Sequence, residues 1–244
     1  MRCWQLLSAV LFVSLSIPAP VHSQVVTMDA QSRSVVTGAT ANAGALFTDD
    51  DMDSAANFDP FNSLVMSTAS SNNDPNFASA SGEALQNSTI GSFLVEATGE
   101  TNAFANLTGT GTAIGEALSD FSYTFTIDSP FSFTVLGAVD RFGPVSDAGI
   151  ELVNTDTMAP VFAIGESVGY ASTSINTNGI LDAGTYELIA FADTVHQHFG
   201  GGGDPTTAGA EFELSFTLTP VPEPSTLVLT ALGLLAHGHR RRRA

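Results

Sequence analysis

Phe121-Ser122-Tyr123-Thr124-Phe125-Thr126-Ile127 decides the fold. Every odd residue is apolar and every even one polar, the period of a strand with one face in a core and one in water. A turn signal follows at Asp128-Ser129-Pro130, and Phe131, Phe133 and Val135 resume the alternation. Phe212, Leu214, Phe216 and Leu218 repeat it, with Glu211, Glu213, Ser215 and Thr217 between them. These are half-buried antiparallel strands. Weaker strand patterns run at 25–29, 33–37, 90–97, 101–107, 149–154, 160–164, 169–175 and 184–192. Gly109, Gly111, Gly143-Pro144, Asn178-Gly179, Asp182-Ala183-Gly184 and Gly200 to Asp204 punctuate them. No stretch between 24 and 219 shows the period of an amphipathic helix. Many short strands without helices predict an all-β body, a β-sandwich or jelly roll, over 24–219. Residues 38–82 break the pattern. They are rich in Ala, Ser, Asn and Asp, with sparse apolar residues such as Phe47, Phe58, Phe61 and Phe77. They read as a loop-rich insertion or as irregular first strands.

Composition narrows the function. The chain has 244 residues, 43% hydrophobic and only 13% charged, so one ordinary core is affordable and Ser, Thr, Asn and Gly fill the surface. There is no Lys. Between Gln24 and Pro220, Arg33 and Arg141 stand against 24 acidic residues, a net charge of −22. Such a surface repels nucleic acid and anionic headgroups, and it attracts divalent cations. The single cysteine, Cys3, lies near the N-terminus. A chain trimmed of its leader has no disulfide and no thiolate metal site, so stability must come from the core or from ions.

The two ends read as addresses. Residues 1–23 have the form of a secretory signal peptide: Arg2, an apolar run from Trp4 to Ile17, helix-breaking Pro18 and Pro20, and a small residue at Ser23. The cut is placed between Ser23 and Gln24. Residues 220–244 form a tail in three parts. Pro222-Glu223-Pro224 opens a rigid spacer, because each Pro disfavours helix in the residue before it. A short apolar helix is predicted over 225–239, below the roughly 20 residues that a bilayer core needs. Arg240, Arg241, Arg242 and Arg243 close the chain. By the positive-inside rule this cluster stays cytoplasmic and the body lies outside.

The tail, VPEPSTLVLTALGLLAHGHRRRRA, resembles the PEP-CTERM sorting signal, with Pro222, Glu223 and Pro224 on the signature triplet of that family. The resemblance implies recognition by an exosortase, a membrane-embedded transpeptidase-like protease, and cleavage near the triplet. It further implies transient tethering through the tail and delivery to the envelope or an exopolysaccharide matrix. Separately, Gly179 to Ala190, followed by the Phe/Leu strand at 212–218, resembles the last two strands of jelly-roll binding modules, which bears on architecture alone.

Candidate chemistry in the body is thin. Gly165-Glu166-Ser167-Val168-Gly169 matches the nucleophile-elbow pentapeptide, with Asp182, Asp193 and His196 following in order. No helix signal follows Ser167, which the elbow requires, and no catalytic residue is assigned. His196 and His198 share one strand face on paper but adjoin Gly200 to Gly203, and read as exposed loop residues. Asp49, Asp50, Asp51 and Asp53 form the densest acidic run and are the candidate Ca2+ ligands, although the spacing is not that of an EF-hand. Asn87 and Asn106 open N-x-T sequons. The expectation is an exported, non-enzymatic envelope or matrix protein, structural or adhesive and associated with exopolysaccharide. It needs no cofactor beyond a candidate Ca2+ and binds no nucleic acid. The alternatives are a carbohydrate- or Ca2+-binding module and a secreted hydrolase.

Overall fold

In a computed structural model, residues 24–143, 145–167, 171–200 and 206–222 are described. The predicted leader, the apolar helix at 225–239 and the Arg cluster lie outside them. The described chain is all-β, in twelve strands: β1 Val26–Asn42, β2 Leu46–Ser54, β3 Phe61–Asn73, β4 Asn76–Ile90, β5 Leu94–Thr108 and β6 Thr112–Ile127. They continue as β7 Phe131–Phe142, β8 Ser146–Asn154, β9 Ala159–Ser167, β10 Ala171–Leu181, β11 Gly184–Phe199 and β12 Thr206–Pro220. Two six-stranded antiparallel sheets result. Sheet A runs β2-β1-β6-β11-β8-β9 and sheet B runs β10-β7-β12-β5-β4-β3. They face each other, with β2 across from β3, β1 from β4, β6 from β5 and β11 from β12. This is a β-sandwich, as the alternation predicts.

The Phe-alternating strands sit at the centre. Phe121, Tyr123, Phe125 and Ile127 of β6 point inward, as do Phe131, Phe133 and Val135 of β7 and Phe212, Leu214, Phe216 and Leu218 of β12. Their rings mesh: Phe125 lies 5.7 Å from Tyr186 and 5.6 Å from Phe216, centroid to centroid.

Residues 38–82 are not a loop-rich insertion. They hold the end of β1, all of β2 and β3, and the start of β4. Their pattern escapes a hydropathy reading because inward positions carry Ala, Gly, Ser and Thr. Ala39, Ala41, Ala43, Ala69, Ala78, Ala80, Ala105, Leu107 and Ala113 form the core there. Hydroxyls bridge the sheets inside it, as where Thr37 Oγ1 meets Ser67 Oγ at 2.5 Å and Ser71 Oγ donates to the Ala45 carbonyl at 2.7 Å. The sheets approach closely. A Cβ on Gly82 would lie 2.0 Å from the Glu116 carbonyl oxygen, and one on Gly115 2.3 Å from that of Ser81.

Arg33, on β1, is buried in this half. It donates from Nε to Gln31 (2.8 Å), from Nη1 to Ser88 (3.3 Å) and from Nη2 to the carbonyls of Asn57 and Asp59, and lies over the Phe61 ring. One guanidinium thus pins the β2–β3 connection to β1 and β4. Burial lowers its pKa, against the opposing effect of Asp59.

Two further expectations need correction. The strand expected at 90–97 is split by a turn at Gly91, whose N–H donates to the Leu94 carbonyl. Asn178-Gly179 is not a turn but lies inside β10. Gly179 is there for space, since a Cβ would sit 2.7 Å from the Phe133 ring.

Candidate functional site

The tail leaves the body at a stitched rim. Val221 donates its N–H to the Pro130 carbonyl (3.2 Å), and its own carbonyl accepts from Gln24 Nε2 (2.8 Å). Val25 N–H donates to Asp128 Oδ1 at 3.0 Å. Gln24, just past the predicted cut, and Pro222, first of the Pro-Glu-Pro triplet, are therefore neighbours at one end of the sandwich. The β6–β7 turn at Asp128-Ser129-Pro130 holds their chain neighbours Val25 and Val221. Glu223, Pro224 and Ser23 lie outside the described residues.

The acidic run lies on β2, an edge strand, and not in a loop. Strand pleat separates its members. Asp50 points outward opposite Gly38, while Asp49 and Asp53 reach over to β3. Asp49 Oδ2 accepts from the Thr68 N–H (2.8 Å) and Asp53 Oδ2 from the Ser63 hydroxyl (2.6 Å). The Asp51 carboxylate accepts from the N–H of Met52. The four side chains do not converge. Among the described residues, no three His, Cys, Asp or Glu gather as metal ligands. The run is better explained as a guard that satisfies and charges two adjacent sheet edges.

His196 and His198 are not loop residues. Both lie on β11 and point between the sheets, with His196 only 5% exposed. Each Nε2 meets Thr206 Oγ1, at 3.1 Å for His198. Burial, then the neighbouring His198, lowers the His196 pKa, so its neutral form is favoured. The hydrolase constellation does not assemble. Asp193 and His196 point to opposite faces of β11, Asp182 lies beyond the far end of that strand, and Gly165 to Ser167 are the end of strand β9.

Register reveals what the sequence hides. On the outer face of sheet B, Glu211 lies directly between Glu100 and Asp140 on the flanking strands. Burial, then Glu100, Asp140 and Glu213, raise its pKa. On sheet A, Asp120 is raised by burial and by Glu187, and Asp193 by burial and by Asp147. No Lys exists to offset these rows. The alternation marks such residues as outward, but which carboxylates become neighbours is a matter of register.

The outer face of sheet A also carries an open depression of about 350 Å3 over Gly38. Val36, Leu118 and Val195 supply apolar surface, and Asp50, Glu116 and Asp193 supply carboxylates. A Cβ on Gly38 would lie 3.3 Å from Asp50 Oδ1 and 3.5 Å from Glu116 Oε2, so both acids lean over the glycine. On sheet B, Asn87 is exposed beside a second shallow depression with Glu96, Thr98, Glu213 and Ser215, while Asn106 is half-buried on β5. Both sequons thus lie within strands.

Fold and tail together define an all-β sandwich carrying a C-terminal sorting signal. Residues 220–243 match the PEP-CTERM protein-sorting motif. The protein is accordingly an exported substrate of exosortase sorting, anchored transiently in the membrane by its tail. No curated protein matches the chain. Among solved structures, similarity extends to one described as "CBM4 structure and function", at 13% identity and TM-score 0.24, over 48% of this chain and 71% of that one. It extends also to the enzymatically active domain of bacteriophage CBA120 tailspike protein 4, at 14% identity and TM-score 0.22, over 66% of this chain and 19% of that one. A structure of infectious bursal disease virus, Gx strain, follows at 8% identity and TM-score 0.25, over 80% of this chain and 58% of that one. At these values the architecture rests on the strands themselves.

Proposed function

We propose that the sandwich is an adhesive, structural protein of the cell envelope or extracellular matrix, and that it engages exopolysaccharide through its outer sheet faces without turnover. The depression over Gly38 carries this reading. A pyranose ring offers an apolar C–H face and a rim of hydroxyl donors. Val36, Leu118 and Val195 match the first, and the carboxylates of Asp50, Glu116 and Asp193 accept from the second. The net charge of −22 on the body selects the polymer, because a polyanion is repelled. The partner is a neutral or amine-bearing polysaccharide. In this reading Arg240 to Arg243 hold the C-terminus in the cytoplasm until the exosortase acts on the tail.

Affinity electrophoresis of the mature protein tests this, in gels cast with a neutral glucan, a glucosamine polymer or a polyuronate. Retardation is expected in the first or second gel, and Leu118→Asp or Glu116→Gln should reduce it several-fold. Equal mobility in all gels, or retardation that neither variant changes, overturns the reading. Release of reducing ends from the retained polymer overturns its non-enzymatic part.

A further inference from the structure

Among the described residues, four strands form the open edges of the two sheets: β2 and β9 in sheet A, β3 and β10 in sheet B. An edge exposes a row of N–H and C=O groups that template pairing with another strand, and proteins usually blunt it. Three of these edges are blunted. β2 carries Asp49, Asp50, Asp51 and Asp53 within nine residues. β3 is bridged from β2, with the Thr68 N–H taken by Asp49 and the Ser63 hydroxyl by Asp53. β9 contains Pro160, which has no N–H, and its register with β8 shifts between Leu152 and Val153.

β10 has none of these protections. Its eleven residues, Ala-Ser-Thr-Ser-Ile-Asn-Thr-Asn-Gly-Ile-Leu, include no charge and no Pro. Its register with β7 is unbroken from Ala171 opposite Arg141 to Leu181 opposite Phe131. Among the described residues its backbone bonds to β7 alone, which leaves about 36 Å of regular edge unpaired. Ser172, Ser174, Asn176, Asn178 and Ile180 are exposed along it.

We infer that β10 is a self-association edge. A second copy of this chain adds its own β10 antiparallel to the first, joining two copies of sheet B into one twelve-stranded sheet about a two-fold axis. Charge argues for this occupant. Carboxylates line the outer faces of both sheets and the β2 edge, so two copies meeting there oppose like charges. Along β10 an antiparallel self-pairing sets only Ser, Thr, Asn, Gly, Ala, Ile and Leu against one another. The remaining repulsion between the bodies is long-range and screened by salt, so salt strengthens the dimer. The inference does not depend on any polysaccharide.

Sedimentation velocity of the mature protein over a wide concentration range, in low and high salt, is the test. A monomer–dimer equilibrium that tightens with salt is expected. Ser174→Asp/Asn176→Asp places carboxylates on exposed positions of the edge and should weaken the dimer at least about tenfold with Tm unchanged. Hydrogen exchange on the unmodified protein needs no variant: amides of β10 should gain protection as concentration rises, while those of β2 and β9 do not. A wild-type monomer throughout, or β10 protection independent of concentration, overturns the inference. So does a folded double variant that dimerises like the wild type.

Discussion

Between β6, β11, β8 and β5, β12, β7, the two sheets are held apart by interlocking rings. Between β1 with the first residues of β6, on one side, and β4, on the other, they close onto alanine, glycine and paired hydroxyls. The first half is filled by volume: Phe121, Phe125, Phe131, Phe212 and Phe216 are almost wholly buried. The second is filled by proximity, with backbone from one sheet touching Gly82 and Gly115 of the other. The two should therefore fail in opposite ways, the ring-filled half by subtraction and the close-packed half by addition.

The largest effect is expected from Phe125→Ala, which removes a ring in contact with Tyr123, Tyr186 and Phe216. It should cost about 3–5 kcal/mol in a denaturant titration. In the other half, Ala80→Gly should cost only about 0.5–1 kcal/mol. Addition reverses the order. Gly82→Ala forces a Cβ against the Glu116 carbonyl and should cost about 1–3 kcal/mol, although it adds a single methyl group. A Gly82→Ala variant as stable as the wild type would show that the sheets are not so close, and would break the comparison.

Acid should separate the buried histidine end of β11 from the outer sheet faces. His196 has a lowered pKa from burial and from His198. Its contribution is intact above the unfolded histidine value, near 6.5, and is lost as pH falls through the lower folded value. Asp120, Asp193 and Glu211 have raised values from burial and from neighbouring carboxylates. Their contribution is full below the unfolded carboxylate range, near 4, and is lost as pH rises through the folded values. Tm measured from pH 7 down to 4 should therefore show opposing limbs. His196→Gln should remove the falling limb alone. Glu211→Gln, the smallest effect, should raise Tm slightly at pH 7 by relieving Glu100 and Asp140, and much less at pH 4.

The same contrast governs how much the sequence discloses. Strands of the ring-filled half are legible because Phe and Leu alternate with Thr, Ser and Glu, and Phe121, Phe125, Phe131, Phe212, Leu214 and Phe216 all lie inside. The other half inverts that code. In β3 the inward residues include Ser63, Ser67 and Ser71, while Leu64 and Met66 face water. Alanine and serine differ too little in hydropathy to mark a face, so β2 and β3 read as a loop-rich insertion or as irregular strands. The acidic run was legible as a cluster but not as an edge guard, because its partners Ser63 and Thr68 are brought near only by the stacking of β2 on β3. The depression over Gly38 and the row Glu100–Glu211–Asp140 depend on register across several strands, which no single stretch encodes. The sorting tail was fully legible because its signal is local: a triplet, an apolar run and an Arg cluster in fixed order.

The body is proposed to fold outside the membrane and to be handed on by its tail at a rim where Gln24 bonds to Val221, beside Pro222. The intact mass of the native mature protein, taken with its cell fraction, tests this most directly. The expected mass begins at Gln24 and ends near the Pro-Glu-Pro triplet, without Arg240 to Arg243, in the envelope or matrix fraction. A mass that begins at Met1, or one that retains Arg243 in the inner-membrane fraction at steady state, would contradict it.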